Sequence, residues 1–155
     1  MKRMAVATAI VVCLMGATQA GAEDYLFSYF TGNGEDGLHL AHSADGLAWT
    51  ALNGGKSFLA PSVGGKLMRD PCICQGPDGT FHLVWTSGWW NKGIGIAHSK
   101  NLITWSQPEW LPVMAHEPNA VNCWAPEIFY DDATQVADAA STPENLEQQA
   151  LTNSH

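Results

Sequence analysis

The sequence predicts an all-β fold, and three observations carry that prediction. Residues 25–31 (YLFSYFT) and 81–87 (FHLVWTS) are short, apolar and aromatic-rich, the composition of strands. Turn residues punctuate them, among them Pro77-Asp78-Gly79, where proline presets one turn dihedral and glycine supplies a positive φ. The chain also copies itself. Residues 37–49 (GLHLAHSADGLAW) recur at 93–105 (GIGIAHSKNLITW) with an offset of 56 and no gap. Gly37 falls on Gly93, Ala41-His42-Ser43 on Ala97-His98-Ser99, and Trp49 on Trp105. The same shift carries 25–31 onto 81–87. Short strands recurring on this period are the signature of β-propeller blades, each of which buries its faces only against its neighbours. The expected architecture is a partial β-propeller of about two blades.

Taken in order, the chain divides into three parts. Residues 1–22 read as a secretory signal peptide: Lys2 and Arg3 open it, an apolar run follows from Ala5 to Gly16, and Ala20-Gly21-Ala22 fits a small-residue cleavage site. That run is too short to span a bilayer. The product is expected to be secreted or periplasmic, with no membrane association once the leader is cleaved. Residues 23–135 form the partial propeller. Its complete blade is predicted as strands at about 70–76, 80–87, 93–99 and 103–111, preceded by three strands of one blade and followed by a single strand, APEIFY, of a third. Residues 136–155 lack aromatics and strand alternation, and read as a polar tail, disordered or briefly helical from Pro143.

Charge and cysteines narrow the function. The formal net charge is −8, and removal of Lys2 and Arg3 with the leader leaves −10. No basic patch remains, which excludes nucleic acid as the expected partner. A neutral ligand such as a carbohydrate suits the chain. Cys72, Cys74 and Cys123 remain after the leader is lost. A CxC pair with one distant cysteine falls short of a closed zinc site, so no metal is assigned to them. Small buried residues, or one disulfide to Cys123, are the readings kept open.

The residues that bear chemistry lie at strand starts. In MRDPCI, the Arg69-Asp70 pair opens an apolar strand, and Pro71 is expected to hold Asp70 extended. WAPEI repeats that arrangement, with Glu127 just past Pro126. First strands line the central channel of a propeller, so Asp70 and Glu127 are expected to face one cavity. Paired carboxylates around a cavity are what glycoside hydrolysis requires. Trp49 and Trp105 read as blade-packing residues. Ser43 and Ser99 are placed to satisfy the turns that follow them, and His42 and His98 to pair locally.

RDPCICQGPDGTFHLVWTS, GIGIAHSKNLITW and NCWAPEIFY together resemble the N-terminal portion of glycoside hydrolase family 43, over residues 25 to about 132. The resemblance implies a five-bladed β-propeller and an arabinanase, arabinofuranosidase, xylosidase or galactanase type of activity on plant-type polysaccharide, with inversion at the anomeric carbon. SKNLITW departs from the family's pattern in carrying Asn101 for Asp. Asp70 matches the family's general base, and Glu127 the acid of its WAPD/E motif, near the substrate but not the usual proton donor. Arg69, Trp89, Trp90 and Trp124 are candidate substrate-binding residues; for Trp89 and Trp90 a loop-packing pair is the alternative. The proton donor and the acid that tunes it belong to later blades, which this sequence does not include. No cofactor is expected, beyond a calcium ion in the channel of the full-length family fold. Three alternatives stand beside this reading: a non-catalytic carbohydrate-binding module, a truncated inactive fragment, and a fructosidase or invertase-like hydrolase. For the last of these, no WMNDPNG-like motif precedes Arg69.

Overall fold

The computed structural model describes residues 24–131 and 136–142. The leader expected at 1–22 and the tail beyond residue 142 lie outside the described residues. The described chain is all-β, with three consecutive antiparallel sheets. The first sheet holds β1 (Tyr25–Tyr29), β2 (His39–Ser43) and β3 (Thr50–Ala51). The second holds β4 (Arg69–Gln75), β5 (Phe81–Thr86), β6 (Ile94–Ser99) and β7 (Glu109–Leu111). The third pairs β8 (Trp124–Asp131) with β9 (Val136–Thr142). Among the described residues this is a partial propeller: a three-stranded blade, a four-stranded blade, and a pair of strands of a third.

Two apolar layers hold the blades together, and β5 feeds both because alternate strand residues face opposite ways. Leu83 and Trp85 pack with Leu38, Leu40 and Met68 of the first-blade side, joined by half-buried Ile73, Leu102 and Trp105. Val84 packs the other way, with Ile94 and Cys123 and half-buried Cys72, Ile96 and Ile128. Trp85 is fully buried, and its indole lies across from Gly95, its partner in the β5–β6 pairing. A Cβ at Gly95 would sit 2.0 Å from Trp85 Cε2, so the absent side chain is what admits the ring. Burial of a side chain this large contributes roughly 3 kcal/mol.

The 56-residue repeat reappears as repeated hydrogen bonding. Ser43 Oγ accepts from the amides of Asp45 and Gly46, and Asp45 Oδ1 accepts from those of Leu47 and Ala48. One blade on, Ser99 Oγ accepts from Asn101 and Leu102, and Asn101 Oδ1 from Ile103 and Thr104. Asn101 therefore does the acceptor work of Asp45 without its charge. The histidines pair locally: His42 Nε2 with Asp24 at 2.8 Å, and His98 Nδ1 with His82 Nδ1 at 3.0 Å.

Several expectations need correction. The strand expected at 103–111 is reduced to Glu109–Leu111, with one isolated bridge between Ser99 and Trp105. The amides of residues 101–104 are taken by the Ser99 and Asn101 side chains, which turn the chain instead of extending it. Residues 136–142, expected within a disordered or helical tail, form β9, with Ile128 opposite Ala139 and Phe129 opposite Asp138. Alanine and aspartate are poor strand formers in isolation, but the backbone groups of β8 demand a partner. The strand APEIFY is thus paired. Trp105 packs between blades as expected, whereas Trp49 lies on an open face. There it lines an apolar cleft of about 410 Å³ with Phe27, Tyr29, Ala41 and Ala51. Four of these positions correspond, 56 residues on, to Leu83, Trp85, Ala97 and Trp105, which the first blade covers.

Candidate active site

The site begins with a backbone irregularity that occurs twice. The pairing of β4 with β5 shifts register between Arg69 and Cys72, and that of β8 with β9 shifts between Trp124 and Glu127. Each bulge contains a non-glycine residue of positive φ directly before a proline: Asp70 at 49° ahead of Pro71, and Ala125 at 45° ahead of Pro126. The expectation that Pro71 holds Asp70 extended is therefore corrected. Proline disfavours the right-handed helical region for its predecessor. Here the bulge resolves that restriction on the left-handed side, which aspartate tolerates better than most residues.

The two bulges meet at one hydroxyl. Thr86, the last residue of β5, is 2% exposed. Its Oγ1 donates to Asp70 Oδ2 at 2.9 Å and accepts from the Ala125 amide at 2.8 Å. Inner strands β4 and β8 are thereby joined through β5. Ser28 Oγ donates to the Pro71 carbonyl at 2.7 Å and ties β1 to β4 in the same way.

Between β4, β8 and β1 lies an open cleft of about 370 Å³, lined by Asp70, Pro71, Cys72 and Ile73 on one side, Ala125, Pro126 and Glu127 on another, and Phe27 and Ser28 on a third. Asp70 is half-buried and Glu127 exposed. The two carboxyl-bearing residues singled out by the sequence thus border a single concavity. They do not occupy equivalent positions: by the bulge, the counterpart of Asp70 is Ala125, and that of Glu127 is Cys72.

The remaining candidates gather in one cluster, in which Arg69 and Trp124 directly precede the cleft residues Asp70 and Ala125. Arg69 has its guanidinium carbon 4.9 Å from the Phe30 ring centroid and 4.4 Å from that of Trp89, and Nη1 donates to Asn33 Oδ1 at 3.0 Å. Trp124 Nε1 donates to the Trp89 carbonyl at 3.0 Å, and the two rings meet edge-on with centroids 5.6 Å apart. Trp90 lies 6.4 Å from Trp124. Trp89 and Trp90 remain 40% and 64% exposed, so the cluster is packed internally yet offers aromatic surface to solvent. Aromatic faces of this kind suit the apolar face of a sugar ring. Cys72 and buried Cys123 belong to the interblade layer, and half-buried Cys74 points its thiol at the Gln75 carbonyl. Among the described residues no group of three His, Cys, Asp or Glu side chains is arranged to hold a metal ion, so no step is assigned to the calcium that the resemblance implies.

Sequence reasoning did not single out Thr86, Phe30 or Asn33. A faint signal existed for Thr86: it is a polar residue closing the otherwise apolar run LVWT. Its partners are set by bulges in two other strands, which no spacing rule reports.

Comparison with known proteins bears on the family of the chain. A family model for a domain related to glycoside hydrolase family 43, described as a probable glycosyl hydrolase domain, matches residues 21–137, well over half of the chain. No curated protein and no solved structure matches the chain. With its paired inner strands and the span of that match, the chain belongs to the family of probable glycosyl hydrolase domains related to family 43.

Proposed function

We propose that the protein is an exported glycoside hydrolase acting on arabinose-, xylose- or galactose-containing plant-type oligosaccharides or polysaccharides, with Asp70 as the general base of an inverting reaction. The observation that supports this most is the cleft that Asp70 and Glu127 share, with Arg69 and Trp124 of the aromatic cluster next in the chain to its lining residues Asp70 and Ala125. In the reaction, the Asp70 carboxylate removes a proton from water as the water oxygen bonds to the anomeric carbon. The bond from that carbon to the leaving oxygen breaks, and the sugar is released with inverted configuration. A natural leaving group needs a proton from a separate acid. Glu127 borders the substrate, and Trp89, Trp90 and Trp124 stack against sugar rings.

An aryl glycoside with a dinitrophenyl leaving group departs as a phenolate without protonation, and so tests the base half of the mechanism by itself. Incubation with dinitrophenyl arabinofuranoside, xyloside and galactoside, with proton NMR of the first-formed sugar, should show turnover of at least one substrate and the inverted anomer. Binding of the corresponding oligosaccharides without turnover of any aryl glycoside would favour a carbohydrate-binding module instead.

A further inference from the structure

We propose that Thr86 is the positioning residue of the Asp70 site, fixing the carboxylate and the neighbouring blade with one hydroxyl. The inference rests on the reading of Asp70 as the base and deepens it. A threonine hydroxyl offers one donor and two acceptor sites. The Ala125 amide occupies an acceptor site at 2.8 Å, and the single proton goes to Asp70 Oδ2 at 2.9 Å. The amide can only donate, so of these two partners the Asp70 carboxylate is the one that takes the hydroxyl proton. Burial of Thr86 to 2% exposure removes water as a competing partner.

Both partners need this support. Asp70 and Ala125 hold positive φ, a conformation that costs an L-residue about 1–2 kcal/mol and persists only where its surroundings impose it. Thr86 lies opposite Arg69 in the β4–β5 pairing, where the bulge begins, so its side chain reaches the Asp70 carboxylate and the Ala125 backbone from regular strand. With Oδ2 held, Oδ1 is the oxygen that takes the proton from water. The direction of its lone pairs is then set by Thr86, and through Ala125 by the placement of the third blade.

The test uses Thr86→Val, which keeps the shape and removes the hydroxyl, and Thr86→Ser, which keeps the hydroxyl. Asp70→Asn and the double variant Asp70→Asn/Thr86→Val complete the set, assayed on the dinitrophenyl glycoside that the wild type turns over fastest. Misorientation of a reacting group costs on the order of 10–100-fold, so Thr86→Val should lose about that factor in kcat with KM within about twofold of wild type. Thr86→Ser should recover at least half of the wild-type kcat, and Thr86→Val should cost nothing further when added to Asp70→Asn. Amide exchange at Ala125, followed by NMR, should accelerate about tenfold or more in Thr86→Val but not in Asp70→Asn or Thr86→Ser. Should Thr86→Val not fold, Thr86→Ala gives the same comparison with Thr86→Ser.

A Thr86→Val kcat within about twofold of wild type, or a Thr86→Ser enzyme as impaired as Thr86→Val, overturns the positioning role and leaves the base assignment standing. An Asp70→Asn variant with wild-type turnover, or a wild type with no turnover of any aryl glycoside, overturns the base assignment and the role of Thr86 with it.

Discussion

Asp70 and Ala125 adopt the same left-handed backbone, 49° and 45° in φ, each immediately before a proline at the head of an inner strand. One position carries a carboxylate and the other a methyl group, although the surrounding bulge is shared. The fold therefore provides the same outlet at the heads of β4 and β8, and the side chain placed there decides what each strand contributes to the cleft.

That reading makes Ala125 a test of the bulge alone. A β-branched residue at positive φ is a genuine outlier, whereas glycine adopts it freely. Ala125→Val should destabilise the protein by about 2 kcal/mol, and Ala125→Gly should melt at or above the wild-type temperature. Thermal denaturation by circular dichroism checks both, and an Ala125→Val protein as stable as wild type would mean that the bulge is not rigid.

The turns after β2 and β6 make a second prediction. Ser99→Ala removes an acceptor for two amides, together with a donor to the Thr104 carbonyl at 2.7 Å. The cost should be about 1–2 kcal/mol in urea unfolding. Asn101→Asp, which copies Asp45, should leave stability within about 0.5 kcal/mol of wild type, as befits an exposed substitution that keeps its acceptor.

Gly95 predicts a larger effect from a single methyl group. Its Cβ would fall 2.0 Å from the buried Trp85 indole, which has strand on one side and the first interblade layer on the other. Gly95→Ala should cost about 3 kcal/mol, at the upper end of overpacking penalties. The near-ultraviolet tryptophan signal should change with it. Retained stability with an unchanged spectrum would show that Trp85 has room to move.

His82 carries the pH dependence. Burial, and after it the neighbouring His98, lowers its pKa below the usual histidine value, so the folded state takes up this proton less readily. The unfolded chain then binds the proton more readily, and stability present above about pH 6.5 is lost as the pH falls through the unfolded and then the folded value. His82→Phe should flatten the stability profile between about pH 7 and 5. An equally steep profile in that variant would assign the effect elsewhere.

Much of the fold was legible in the residues themselves. The 56-residue repeat reports blades because equivalent gaps between sheets are filled from equivalent positions, and Trp105, Ser43 and Ser99 behave accordingly. Strand β9 was not legible, since its sequence is weak and its pairing is dictated by β8. At the site, RDP and WAPE located the inner strands, and the cleft brings Asp70 and Glu127 together. The left-handed turn at Asp70 and the three-way contact at Thr86 were invisible, because both arise from register shifts between strands and not from any pattern along one of them.

Asp70→Asn isolates the base role of Asp70, because the amide oxygen still accepts from Thr86 while the proton acceptor for water is gone. Turnover of the best dinitrophenyl glycoside should fall by on the order of 10²–10⁴, the range of general-base catalysis, with oligosaccharide Kd by isothermal titration within about threefold of wild type. A variant that hydrolyses the glycoside at the wild-type rate would show that Asp70 is not the base.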